Sequence, residues 1–187
     1  MEKSENLKIF ILFHVLVICI QLYFLFTWDN VAFADAFTRL GFAKDIITYG
    51  RVNLLFSQWL PGHIVFLAIG YGIAPEVLFI RALSLAVCTA SFYPYFKLVE
   101  KYSSGFVTLV AALSFYLCFT SFHLMSTQTM SLGLFVSFML WHWYFYSDYI
   151  LNKQNKYLFT SSIFILLATS IRYEAWFFCA CFNVSIW

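Results

Sequence analysis

From Ile9 to Phe26 the chain runs through 18 mostly apolar residues, and this run constrains its fold more than any motif does. As a helix rising 1.5 Å per residue it would be about 27 Å long, close to the ~30 Å hydrocarbon thickness of a bilayer. A secretory signal would have a shorter core and a small-x-small cleavage site. Here the run ends in YFLFTW, so it reads as an uncleaved first span with Trp28 as an interfacial anchor.

The pattern recurs at about residues 77–96, 105–122, 130–150 and 157–171, with a last stretch from Ala175 to Trp187. Composition agrees: 63% hydrophobic and only 11% charged residues leave too much apolar surface for a soluble domain and too little charge for a disordered one. The expected fold class is all-α: a polytopic membrane protein forming one transmembrane domain of about five spans plus the start of a sixth. The final 13 residues are too short to cross, so the chain is expected to be a fragment of a longer reading frame.

A net charge of +2 without a basic tract excludes nucleic acid as a partner. There is no Gly-rich phosphate loop, zinc-type Cys/His spacing or internal repeat. Cys19, Cys88, Cys118, Cys179 and Cys181 all lie in apolar runs and read as small buried hydrophobes.

Charge placement orients the spans. The stretch WLPGHIVFLAIGYGI, Trp59 to Ile73, contains Pro61, His63 and three glycines and is short for a span. If it crossed, Lys97, Lys101, Lys153 and Lys156 would all lie opposite Lys3 and Lys8. If it lies on or dips into the membrane, all six share the cytoplasmic side with the N-terminus, as the positive-inside rule requires. Residues 27–76 then form one long external loop with juxtamembrane helices. Within it, Val31–Leu40 places Phe33, Phe37 and Leu40 on one face and an Asp35–Arg39 pair on the other, as in an interfacial amphipathic helix. Lys44 and Asp45 read as solvated loop charges.

Ionisable groups at membrane depth are costly, so those gathered on the external side each need a partner or a purpose. Asp29 follows the first span, where it serves either as a carboxylate facing lipid and water or, with Asn30, as the N-cap of the next helix. Arg172 and Glu174, in ATSIRYEAW, form either a snorkelling turn or an anion-binding arginine with an acidic neighbour. Arg81 fits a snorkelling side chain or a phosphate ligand equally well. His63 and His123 are ligand contacts or polar interface residues, whereas bundle-facing hydrogen bonds account for His14 and His142.

The order of these strings resembles the GT-C superfamily of polytopic glycosyltransferases, nearest to its protein O-mannosyltransferase and aminoarabinose-transferase group. The strings are WDNVAFADAFTRL, then W-L-P from Trp59 to Pro61, then R-x-L-S from Arg81 to Ser84. A basic loop, M-S-L-G-L-F and I-R-Y-E-A-W follow. The likeness covers essentially the whole chain as the N-terminal half of such an enzyme.

The resemblance implies a polyprenyl-phosphate-linked sugar donor, an unidentified acceptor, the bilayer as partner, and transfer on the outer membrane face. It implies that Asp29 is the catalytic carboxylate. Many members carry Asp-Glu where this chain has Asp29-Asn30, and an acid where it has Leu132. Without those acids the resemblance assigns no metal ligand, and a divalent cation is left open.

The chemistry is consistent with such a site. Phosphate is a competent leaving group, so one base for the acceptor hydroxyl and cations for the departing phosphate suffice. Asp29 suits the first role; Arg172 and Arg81 suit the second, with Glu174, Asn30, His63 and His123 as further substrate contacts. Two other readings compete: a transporter or flippase for lipid-linked sugars, and a non-catalytic membrane protein that keeps the scaffold. Broken helices or repeated halves would mark the transporter, and the sequence has neither.

Overall fold

The structure is a computed structural model that describes residues 2–27, 34–57, 59–118 and 129–186. These residues are helical almost throughout, with no strand among them. The helices are α1 (Glu2–Thr27), α2 (Ala34–Tyr49), α3 (Pro61–Ile73), α4 (Val77–Ala90) and α5 (Phe92–Glu100). They continue as α6 (Gly105–Cys118), α7 (Ser131–Asn152), α8 (Asn155–Ile171) and α9 (Glu174–Ile186), with a 3-10 turn at Val52–Phe56.

Two stretches, Leu7–Thr27 and Val77–Glu100, are long and apolar enough to cross a membrane. The second is bent. Pro94 cannot donate a backbone N–H to Ala90, and the helix breaks at Ser91, whose hydroxyl bonds the Cys88 carbonyl at 2.6 Å. Pro61–Ile73 and Gly105–Ser114 are apolar but shorter. The expected spans at 130–150 and 157–171 form helices α7 and α8 without reaching the same measure. α7 interrupts its apolar residues with His142, Ser147 and Asp148, and α8 has only 17 residues.

Two antiparallel pairings set the register. Along α1 and α4–α5, Phe10 meets Phe96 edge-on, Gln21 bonds Thr89, and the Leu25 carbonyl accepts from Arg81. Along α7 and α8, His142 bonds Ser161 at 2.8 Å, and Arg172, just past α8, reaches Ser131. Aromatic side chains fill the contacts between these pairs; Trp141 stacks against Tyr93, Phe145 and Phe164.

The register sets most of the lysines apart from Arg81 and Arg172, with Lys44 on α2 the exception. Lys97 lies over the Phe10 ring and pairs with Glu100 at 2.6 Å, while Lys101 pairs with Asp148 at 2.8 Å. These contacts gather Lys8, Lys97, Lys101, Lys153 and Lys156 around one end of the helices. Arg81 and Arg172 occupy the other end.

Helix α2 runs beyond the expected amphipathic helix, and its Arg39 turns inward. It runs to Tyr49, so Lys44 and Asp45 are helical rather than loop residues. Its inward face carries Ala36, Arg39 and Ala43, all buried, whereas Phe37 is 69% exposed. The small alanines let α2 lie close and parallel to α3, with Arg39 beside His63, Ala43 packed with Leu67, and Ile47 against Gly72. An arginine takes an inward position there because α3 supplies it with an acceptor.

Candidate functional site

Arg39 is the centre of a buried polar cluster. Its Nη1 donates to His63 Nδ1 at 3.2 Å, its guanidinium lies 5.2 Å from the Trp59 ring centroid, and Asp35 stands 3.8 Å away. A guanidinium has no acceptor atom, so His63 Nδ1 must accept and the ring proton sits on Nε2. His63 is fully buried and Arg39 nearly so. The sequence reading treats Asp35 as the partner of Arg39; the exposed carboxylate at 3.8 Å is the weaker contact, and the imidazole is the nearer one.

Burial, and then the Arg39 charge, push the His63 imidazole down to about 3, with Arg172 acting in the same direction and the Thr129 backbone opposing it. Burial likewise lowers Arg39 from its ordinary value, opposed by Asp35 and reinforced by Arg172. Arg39, His63 and Arg172 therefore share one electrostatic neighbourhood.

Arg172 follows the C-terminus of α8. Its Nε and Nη2 form a two-pronged contact with Glu174, at 3.1 and 2.5 Å, and its Nη1 reaches Ser131 Oγ at 3.4 Å. The hydrogen bonds from Arg172 hold the Glu174 carboxyl below its ordinary range. Ser131 opens α7, whose N-cap Met130 offers no side-chain cap, and Leu60 likewise leaves α3 uncapped. Two helix starts thus bring free N–H groups and positive dipole ends to this region. Thr129, just before α7, is β-branched yet holds φ at +56°, a conformation that costs about 1–3 kcal/mol and recurs at functional sites.

Several buried polar atoms here lack a hydrogen-bond partner among the described residues: Arg39 Nε, His63 Nε2 and Thr129 Oγ1. The Thr129 backbone is near enough to act on the imidazole but does not meet Nε2 in hydrogen-bond geometry. Buried donors of this kind are normally satisfied, so the arrangement is chemically suited to an anion.

Two apolar cavities lie between α3 and the end of α8, and neither is lined by Arg39, His63, Arg172 or Glu174. One of about 580 Å³ is lined by Leu60, Pro61, Thr169, Ser170 and Trp176, among others. A second, of about 380 Å³, shares Pro61 and Ser170 and continues along Val65, Ile69 and Leu167. Gly62 makes this packing feasible, because a Cβ there would stand 2.7 Å from the Ser170 carbonyl oxygen.

Of the residues assigned from sequence, His63, Arg172 and Glu174 come together here. Arg81 is buried and instead donates to the Leu25 carbonyl near the end of α1, at 3.2 Å. Asp29, Asn30 and His123 lie outside the described residues. Arg39, Ser131 and Thr129 were missed; the W-L-P string leading into α3 was the available pointer to what α3 packs against. Among the described residues no group of three or more His, Cys, Asp or Glu side chains could hold a metal ion. Comparisons with protein-family models, curated proteins and solved structures return no match to this chain.

Proposed function

We propose that this chain is the N-terminal part of a multi-pass membrane glycosyltransferase of GT-C type, moving a sugar from a polyprenyl-phosphate donor to an acceptor hydroxyl. The supporting observation is the buried Arg39–His63 contact, with Arg172 and Ser131 close by, on a helix, α3, that also borders two apolar cavities. A lipid-linked phosphate needs this pair of environments: cations for its head and an apolar groove for its tail. In this reading the lysine end and the N-terminus are cytoplasmic, and the arginine end faces outward.

Asp29 takes the proton of the acceptor hydroxyl while that oxygen attacks the anomeric carbon from the face opposite the phosphate. The bond from the anomeric carbon to the phosphate oxygen breaks, and its electron pair leaves with the phosphate. The anomeric configuration inverts in this single displacement. Arg172 and Arg39 hold the departing phosphate, and charge stabilisation of that kind is worth about 3–4 kcal/mol per well-placed donor. Arg81 holds the Leu25 carbonyl near the end of α1, four residues before Asp29.

The test is Asp29→Asn in the complete protein, assayed with a labelled polyprenyl-phosphate sugar. Turnover should fall by at least a hundredfold while donor binding persists; unchanged turnover would overturn the assignment.

A further inference from the structure

We propose that Arg39, His63 and Arg172 form a proton-coupled phosphodiester site, in which anion binding frees Arg39 from His63 and leaves one added proton on the imidazole. The inference takes its ligand class from the proposed function, but the coupling follows from local geometry alone.

In the empty site Arg39 Nη1 donates to His63 Nδ1 at 3.2 Å, which requires a ring deprotonated at that atom. A proton added to Nδ1 would set donor against donor and break the contact. Arg39 Nη1 would then be free, Nδ1–H would become a donor, and both would need an acceptor. Arg39 Nε, His63 Nε2 and Thr129 Oγ1 are already buried without hydrogen-bond partners among the described residues, so the freed groups enlarge an existing excess of donors. A phosphodiester offers two anionic oxygens and one negative charge, enough to accept from the two guanidinium groups and the imidazolium. Without the anion, the added proton would set an imidazolium against the buried Arg39 guanidinium, with the half-buried Arg172 acting in the same direction.

Arg39 from α2 and Arg172 from the junction of α8 and α9 are the charges that act on His63, with the uncharged Thr129 backbone opposing them. Asp35 and Glu174 stand beside those two arginines, and Ser131 bonds Arg172. On α3 itself the next titratable group is Tyr71, two turns on; Arg51 pairs with Asp45 at the far end of α2. Burial, and then the Arg39 and Arg172 charges, hold the empty imidazole neutral; an anion between the guanidinium groups offsets the charge part of that opposition and gives the buried imidazolium a counter-charge. Coupling is reciprocal: if the anion loads the proton, a lower pH must tighten the anion.

The complete protein in phosphatidylcholine nanodiscs is titrated calorimetrically with dimethyl phosphate and with dodecyl methyl phosphate, neither of which titrates near neutrality. Repeating this in buffers of different ionisation enthalpy counts the protons exchanged. Between pH 7 and 5 the expected result is uptake approaching one proton per anion, with affinity rising up to about tenfold per pH unit. His63→Gln keeps an acceptor for Arg39 and should bind the anion with no such pH dependence, which separates His63 from Glu174. Arg172→Gln should weaken binding at least tenfold at every pH.

Tighter binding of the dodecyl probe by a hundredfold or more supports a lipid-borne phosphate, and equal affinities support a free one. Binding without proton uptake, or no saturable binding of either probe, would overturn the site. Wild-type protein alone gives the proton count, so the outcome stands even if a variant fails to fold. Loss of transfer in Asp29→Asn without proton coupling would sink this inference and leave the glycosyltransferase reading; coupling without any transfer would do the reverse.

Discussion

Arg39 Nη1 and His63 Nδ1 meet at 3.2 Å across 24 residues of sequence, both side chains buried, and this contact joins α2 to the start of α3. It also makes the neutral imidazole part of the folded state.

Acid should therefore weaken the protein through His63. The folded ring holds its proton only near pH 3, whereas an unfolded histidine takes one up near 6.5. Between those values the unfolded state binds the extra proton, so stability falls as pH drops from about 6.5 toward 3, by up to about 1.4 kcal/mol per unit. Above 6.5 the His63 contribution is constant. Thermal melting of the detergent-solubilised protein from pH 7.5 to 4 should show this slope, and His63→Gln should flatten it.

Glu174 occupies the Arg172 guanidinium that a ligand anion would use. Glu174→Gln removes the competing charge and should strengthen dimethyl phosphate binding at pH 7 by about threefold to tenfold. Unchanged or weaker binding would show that Glu174 helps hold the ligand instead.

Gly62 should not tolerate a methyl group. Alanine gains up to about 1 kcal/mol in helix propensity. Its Cβ, however, would stand 2.7 Å from a backbone oxygen of Ser170, and a clash with backbone cannot be relieved by turning a side chain. Overpacking costs about 1–3 kcal/mol, so Gly62→Ala should lower the melting temperature and narrow the cavities that Pro61 and Ser170 share.

The lysine end should be more forgiving. The Lys101–Asp148 pair is partly exposed and lies at a helix end, so Lys101→Met should cost less than about 1 kcal/mol. Ser161→Ala removes the buried hydroxyl that bonds His142 across α7 and α8, and should cost about 0.5–1.5 kcal/mol. Denaturant titrations of the two variants side by side would check this order.

Helix positions were largely legible in the sequence, because apolar runs carry the signal that secondary structure follows. The stretches expected at 130–150 and 157–171 appear as Ser131–Asn152 and Asn155–Ile171. The break at Ser91, the kind of interruption assigned to a transporter and not read from the sequence, was overlooked because Pro94 lies inside an otherwise apolar run. Arg39 was hidden for a different reason. Asp35, one helical turn before it, offered a sufficient local partner, and spacing within a helix carries no information about a histidine 24 residues on. Close packing on α3 selected the alanines, and brought Arg39 inward with them, while Phe37 on the apolar face stays exposed. Ser131 and Thr129 carry no sequence signal of their own, since their relevance comes from where Arg172 reaches.

Photo-crosslinking of a diazirine-bearing polyprenyl phosphate to the complete protein in nanodiscs, with the labelled peptides mapped by mass spectrometry, is the most direct check on lipid-phosphate recognition. Labelling should centre on Leu60–Gly62, Thr169–Ser170 and Trp176, be displaced by unlabelled polyprenyl phosphate, and fall at least tenfold in Arg39→Gln and Arg172→Gln. Labelling spread evenly over the apolar surface, or centred near Lys97 and Lys101 and indifferent to both arginines, would contradict it.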